Sequence, residues 1–112
     1  MRVADYIFQT LADWGVKNVF FVSGGGAMFL DDALGKEKRI DYVCCMHEQG
    51  AAIAAEGYAR ISNQPGVACV TTGPGGTNAL TGVAGAWLVY FIARKRGRVD
   101  EHFPERRSEA DE

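Results

Sequence analysis

One carboxylate, Glu48, stands between His47 and Gln49 where the apolar run Tyr42 to Met46 gives way to the alanine-rich run Gly50 to Arg60. A strand ending there and a helix starting there would set the acid at a helix N-terminus, whose dipole favours negative charge, against a buried strand end, where desolvation opposes it. A carboxylate between those influences can carry proton chemistry. The same placement also serves a first-turn Glu that only complements the helix dipole. His47 has two readings as well, a partner of the acid or a structural residue at the strand end.

Two glycine-rich segments flank this acid. Gly24, Gly25 and Gly26 remove side chains where a ligand would approach the backbone. Gly73-Pro74-Gly75-Gly76 does the same later in the chain and leads into a helix whose first free N–H groups, together with Asn78, can donate hydrogen bonds. Each segment is equally what a tight turn requires. Neither is a dinucleotide fingerprint or a phosphate loop: Gly24-Gly25-Gly26-Ala27-Met28-Phe29 breaks the third glycine of G-x-G-x-x-G, and no G-K-[ST] occurs.

The elements that must position these residues follow from hydrophobic spacing. Val3, Ile7, Leu11 and Trp14 recur at helical intervals before Gly15, which predicts an amphipathic helix over Arg2 to Trp14 lying against a sheet. Val19 to Val22 is a continuous apolar run, as in a strand buried on both faces, and a helix from about Ala27 to Leu34 follows its glycines. The cycle repeats with strand Tyr42 to Met46 and helix Glu48 to Ile61. It repeats again with strand Val67 to Thr71, the loop from Thr72 to Gly76, and a helix beginning near Thr77. Strand, loop and helix three times over predict an α/β fold with a parallel sheet layered between helices. Right-handed crossovers then bring Ser23 to Gly26, His47 to Gln49 and Thr72 to Asn78 to one edge of the sheet, where open α/β folds bind ligands.

The chain has 112 residues, room for one domain, with 47% hydrophobic and 23% charged residues and a formal net charge of −2. Nothing in that balance points to nucleic acid. Cys44, Cys45 and Cys69 fall in apolar runs with no C-x-x-C pair, so buried reduced thiols are expected rather than a disulfide framework or metal site. Met1 to Thr10 lacks a basic region followed by an uninterrupted apolar one, so no secretory signal is expected, and the compartment expected is the cytoplasm. Ala79 to Ala93 is apolar but shorter than the roughly 20 residues of a spanning helix, and it contains Gly82 and Gly85. It reads as a buried helix, not a membrane segment. The final stretch, Ala93 to Glu112, holds 12 of the chain's 26 charged side chains, and residues 93–112 are expected to form a frayed helix end and a disordered tail after a domain spanning 1–92.

Taken together, the strings Phe20 to Gly26 with Asp32-Ala33-Leu34, His47-Glu48-Gln49-Gly50-Ala51-Ala52 through Ala55-Glu56-Gly57-Tyr58-Ala59-Arg60, and Thr72-Gly73-Pro74-Gly75-Gly76-Thr77-Asn78 closely resemble the N-terminal pyrimidine-binding domain of thiamine diphosphate enzymes, in particular the acetolactate synthase-like group. The resemblance covers roughly Val3 to Leu88. It implies that Glu48 is catalytic, hydrogen-bonding N1′ of the cofactor's aminopyrimidine and promoting the imino tautomer whose 4′-nitrogen removes the thiazolium C2 proton. It implies that Gly25 and Gly26 lie near the thiazolium and substrate, and that Pro74 and Asn78 line the pyrimidine pocket. In intact relatives the chemistry is decarboxylation of a 2-oxo acid followed by carboligation, in homo- or hetero-oligomers.

Two features depart from the family pattern. Past Ala86-Trp87-Leu88 the chain reads Val89-Tyr90-Phe91-Ile92-Ala93-Arg94-Lys95-Arg96 in place of an Asp-Ser-x-Pro-like turn and a fourth strand, and no Gly-Asp-Gly occurs anywhere. The resemblance therefore implies a truncated version of the domain, inactive alone, with Mg²⁺ and the diphosphate held only through a missing domain or partner chain. FAD, present in some relatives, has no site here. A small subunit of a split enzyme and a non-catalytic module pairing with full-length relatives, through a helix face that includes Ala51, Ala55 and Ala59, are the alternative expectations. An unrelated dinucleotide-binding domain would leave the setting of Glu48 unexplained.

Overall fold

A computed structural model describes residues 1–95 of the chain. Its elements are α1 (Val3–Asp13), β1 (Asn18–Phe21), a short 3-10 turn (Gly25–Ala27), α2 (Met28–Lys36), β2 (Asp41–Cys44), α3 (Glu48–Ser62), β3 (Val67–Cys69), α4 (Pro74–Asn78) and α5 (Leu80–Lys95). The three strands form one parallel sheet in the order β2-β1-β3, with Val19 opposite both Tyr42 and Val67. The chain is thus an α/β domain, as the sequence pattern predicts.

The period of two along β1 sorts its side chains between two helical layers. Val19 and Phe21 join Ala4 and Phe8 of α1, Ala33 and Leu34 of α2, and Ile40 and Cys69 in the main core. Asn18 and Phe20 face the other way, toward α3: the Asn18 amide donates to the Tyr58 hydroxyl at 3.2 Å, and the Phe20 and Tyr58 rings lie 5.9 Å apart. On that second side α5 packs on α3 at a point where glycine is required. A Cβ on Gly82 would stand 2.7 Å from the Ala52 carbonyl carbon.

Four expectations need correction. The buried stripe of α1 is Ala4 and Phe8, with Leu11 and Ala12 partly covered, while Val3 and Trp14 point outward. The helix has apolar residues on two adjacent stripes, and the one carrying small Ala4 beside Phe8 lets α1 close onto α2. Strand β2 is not buried: it forms one edge of the sheet and all four of its residues are exposed. Cys44 is exposed with it and Cys45 is half-buried, so only Cys69 matches the expected buried thiol; burial pushes that thiol's pKa up. Ala51 and Ala55 are buried within this chain, and a Cβ on Gly66 would meet the Ala55 backbone and Ala59, so that helix face is covered by the chain's own fold rather than offered to a partner. Of the segment 93–112, the first three residues complete α5 and the rest lies outside the described residues. Among the described residues, no helix is long and apolar enough to cross a membrane.

Candidate active site at the carboxyl edge of the sheet

All three strands point their C-terminal ends to the same edge, and β1, the first strand in sequence, lies between the other two. The connection after β1 runs to one side and that after β2 crosses back to the other, so the loops after β1 and β3 border the crevice where such sheets bind ligands. Helix α3 starts beside them at Glu48.

His47 caps that helix. Its backbone is extended and its Nδ1 accepts the Gln49 N–H at 3.1 Å, satisfying one of the orphan donors of the first turn. The structural reading of His47 thus has a concrete partner. The cap fixes where α3 begins and so where Glu48, the first residue of the helix, projects. At the other end Asn63, with φ of 55°, closes the helix in the left-handed conformation.

Glu48 is half-buried, and the Asn78 side-chain amide donates to its Oε2 at 3.3 Å. Two residues far apart in sequence, each singled out for its chemistry, are therefore in contact. Asn78 reaches this position by a route different from the expected single helix. Gly73, with φ of 69°, turns the chain sharply, Pro74 occupies the first position of the short helix α4, and Asn78 ends that helix before α5 begins at Leu80. The other carboxylate oxygen, Oε1, lies toward Gly75, where an added Cβ would approach it to 3.4 Å.

Gly75 is buried, whereas Gly25, Gly26 and Pro74 are exposed at the rim of the crevice. A Cβ on Gly25 would meet nothing within 4 Å, so open space faces the backbone there. The remaining glycines serve a second purpose that residue type did not reveal. Added Cβ atoms on Gly24, Gly26 and Gly75 would each come within 2.5 to 2.8 Å of the side chain of Thr71, which projects from two residues beyond β3 between the two glycine loops. Thr71 is the residue missed by sequence reasoning. Below the first loop the Gly24 N–H reaches Asp31 Oδ2 at 3.4 Å, and Asp31 Oδ1 is buried without a hydrogen-bond partner.

The residues present suit one part of a thiamine-type cofactor and not another. A carboxylate with one oxygen held by an amide and the other facing a glycine-cleared space can accept a hydrogen bond from a flat nitrogen heterocycle. For the metal of such a cofactor the described residues offer no ligand set: no group of three or more His, Cys, Asp or Glu side chains among them is placed to hold a metal ion. A separate open cleft of about 360 Å³, lined by Arg2, Asp5, Gln9, Ala33, Lys36 and Glu37, contains none of these site residues.

Comparison with known proteins gives the same direction. The family model for the thiamine pyrophosphate enzyme N-terminal TPP-binding domain matches residues 1–91. The chain is 46% identical to the acetolactate synthase large subunit of Lactococcus lactis over 73% of its own length and 14% of the relative's. It is 45% identical to the acetolactate synthase isozyme 3 large subunit of Escherichia coli, over 76% of this chain and 15% of that one, and 45% identical to the chloroplastic acetolactate synthase of Arabidopsis thaliana, over 76% and 13%. The chain therefore spans about one seventh of the length of these curated relatives.

Proposed function

Because the chain belongs to the family of thiamine pyrophosphate enzyme N-terminal TPP-binding domains, we propose that it forms the pyrimidine half of a thiamine diphosphate site, with Glu48 as the catalytic carboxylate. The observation that carries this reading is the contact between Asn78 and Glu48 Oε2 at 3.3 Å, which leaves Oε1 turned to the space kept clear by Gly75. Asn78 orients the carboxylate, and the His47 cap sets the first turn of the helix that bears it. Glu48 Oε1 would then donate a proton to the edge nitrogen of an aminopyrimidine ring and, as the carboxylate, accept the hydrogen bond of the protonated nitrogen. Pro74 contributes the apolar wall of the ring's slot, and Gly25 and Gly26 keep the adjacent space free of side chains for the rest of the cofactor and for substrate.

When bound, thiamine diphosphate supplies an electron sink for cleaving and forming bonds at a carbonyl carbon. In this reading the diphosphate and its Mg²⁺ are held by a Gly-Asp-Gly-containing domain outside this sequence or on a partner chain, and the pyrimidine half is inactive by itself in the cytoplasm. The acetolactate synthase relatives point to a 2-oxo acid as substrate for the assembled site, with decarboxylation and carboligation as the reaction.

Calorimetric titration tests the assignment. Thiamine diphosphate with Mg²⁺ is titrated into the chain alone and into the chain mixed with a Gly-Asp-Gly-containing domain from a relative. Binding in the mixture that disappears in Glu48→Gln, with an unchanged circular dichroism spectrum, is expected. Equal binding by the Gln variant, or none in either titration, overturns the reading.

A further inference from the structure

Thr71 occupies a position that the proposed chemistry does not use. Its side chain is half-buried two residues beyond β3, and three glycines, two from the loop after β1 and one from α4, close around it. An added Cβ on Gly24 would lie 2.5 Å from Thr71 Cβ, one on Gly26 would lie 2.8 Å from Thr71 Oγ1, and one on Gly75 would lie 2.7 Å from Thr71 Cγ2. The threonine thus stands between two segments: Gly26 faces the hydroxyl, Gly75 of α4 faces the methyl, and Gly24 crowds Cβ and both branches. A β-branched side chain has little χ1 freedom, so it acts as a stiff spacer rather than an adaptable filler. Gly75 sits in the same short helix as Asn78, and its would-be Cβ lies 3.4 Å from Glu48 Oε1. Thr71, Gly75, Glu48 and Asn78 therefore form one contiguous set of contacts.

We infer that Thr71 is a positioning residue: its branched shape pegs the loop after β1 against α4 and thereby sets where Asn78 holds the Glu48 carboxylate. The consequence for cofactor binding rests on the reading of Glu48 and Asn78 given above, whereas the effect on loop geometry does not. Shape, not the hydroxyl, is the operative property. Valine at this position keeps both branches and should keep the peg, serine keeps only one, and alanine keeps neither.

The test uses the full chain and two readouts. In amide NMR spectra, Thr71→Ala should shift the Gly24, Gly26 and Gly75 resonances and the Asn78 side-chain amide while leaving α1 resonances in place, and Thr71→Val should restore them. Gly75→Ala should shift the same set through its clash with Thr71 Cγ2, and adding Thr71→Ser, which removes that methyl, should return the Asn78 amide toward its original position. Titration with thiamine is the second readout, with affinity lost in Thr71→Ala and regained in Thr71→Val. Unmoved Asn78 and Gly75 resonances in Thr71→Ala, or failure of valine to restore them, overturns the inference. Should Thr71→Ala prevent folding, the Thr71→Val spectrum and the Gly75→Ala pair still decide it. Absence of binding by the unmodified chain both alone and beside a Gly-Asp-Gly-containing domain would count against the pyrimidine-site reading and leave the spectral test standing.

Discussion

On one face of the sheet, α1 and α2 bury large side chains, Phe8 and Leu34 among them, and carry ion pairs outside: Arg2 with Asp5 and Asp32, Lys36 with Asp32, and Arg39 with Asp13 and Glu37. On the other face, α3 and α5 meet through Ala52 and Gly82, and their large apolar side chains, Ile53, Leu80, Val83 and Trp87, are exposed. The first arrangement buries its large side chains within the chain, while Val3, Trp14, Met28 and Phe29 remain exposed on its outside. The second places small residues where backbones touch and leaves apolar surface outward at Leu80, Val83 and Trp87, spaced as successive turns of one helix face. Among the described residues, the large buried apolar side chains thus lie mainly on the α1 and α2 side.

The largest disturbance to this contrast should come from Phe8→Ala, which empties the main core and is expected to cost about 3–5 kcal/mol in urea unfolding. A cost near zero would mean that the α1 side is not the stabilising one. Gly82→Ala attacks the other side. Despite the better helix propensity of alanine, its methyl group meets the Ala52 backbone, and a loss of about 1–3 kcal/mol is expected from the forced separation of α3 and α5. Replacing Leu80 and Val83 by Gln should change stability by no more than about 0.5 kcal/mol each, because these side chains bury little within the chain, while reducing self-association in sedimentation velocity. A large loss of stability there would erase the distinction between the two faces.

The smallest effect concerns the ion pairs. Arg2 holds the Asp5 carboxyl down to about 2, and Arg39 does the same for Glu37. Folded-state values below the unfolded ones of 3.8 and 4.5 contribute stability above those unfolded values, and it is lost as pH falls toward about 2. The arginines of these pairs are solvent-exposed, so the loss should be slight and should shrink in high salt. Acid titration of the unfolding midpoint with and without salt measures it.

Alternation of strands and helices was legible because buried parallel strands leave continuous apolar runs and glycine marks their ends. The pairing of Glu48 with Asn78 followed from that alternation, since parallel strands carry every loop to one edge. Periodicity could not say which of two adjacent stripes of α1 would be buried, because Ala4, Phe8 and Leu11 repeat as regularly as Val3, Ile7 and Leu11. Apolar content likewise misled at β2, where Tyr42, Val43 and Cys44 resemble a central strand but occupy an edge. The alanines of α3 signal close approach without naming the neighbour, which proves to be Gly66 of the same chain at Ala55 and Ala59. Thr71 was invisible for a related reason. A threonine at a strand end is ordinary, and its importance arises only from glycines contributed by two other segments.

The strand order also determines when the site can come into existence. Val19 pairs with Tyr42 and with Val67, so the central strand waits for partners made progressively later in synthesis, and each pairing closes a long loop before any ladder bond is gained. Until β3 docks beside β1, Thr71 lies apart from Gly24 and Gly26, and Asn78 is not carried to Glu48. The contact between Asn78 and Glu48 is therefore expected to form late in folding, after the sheet has gained its third strand.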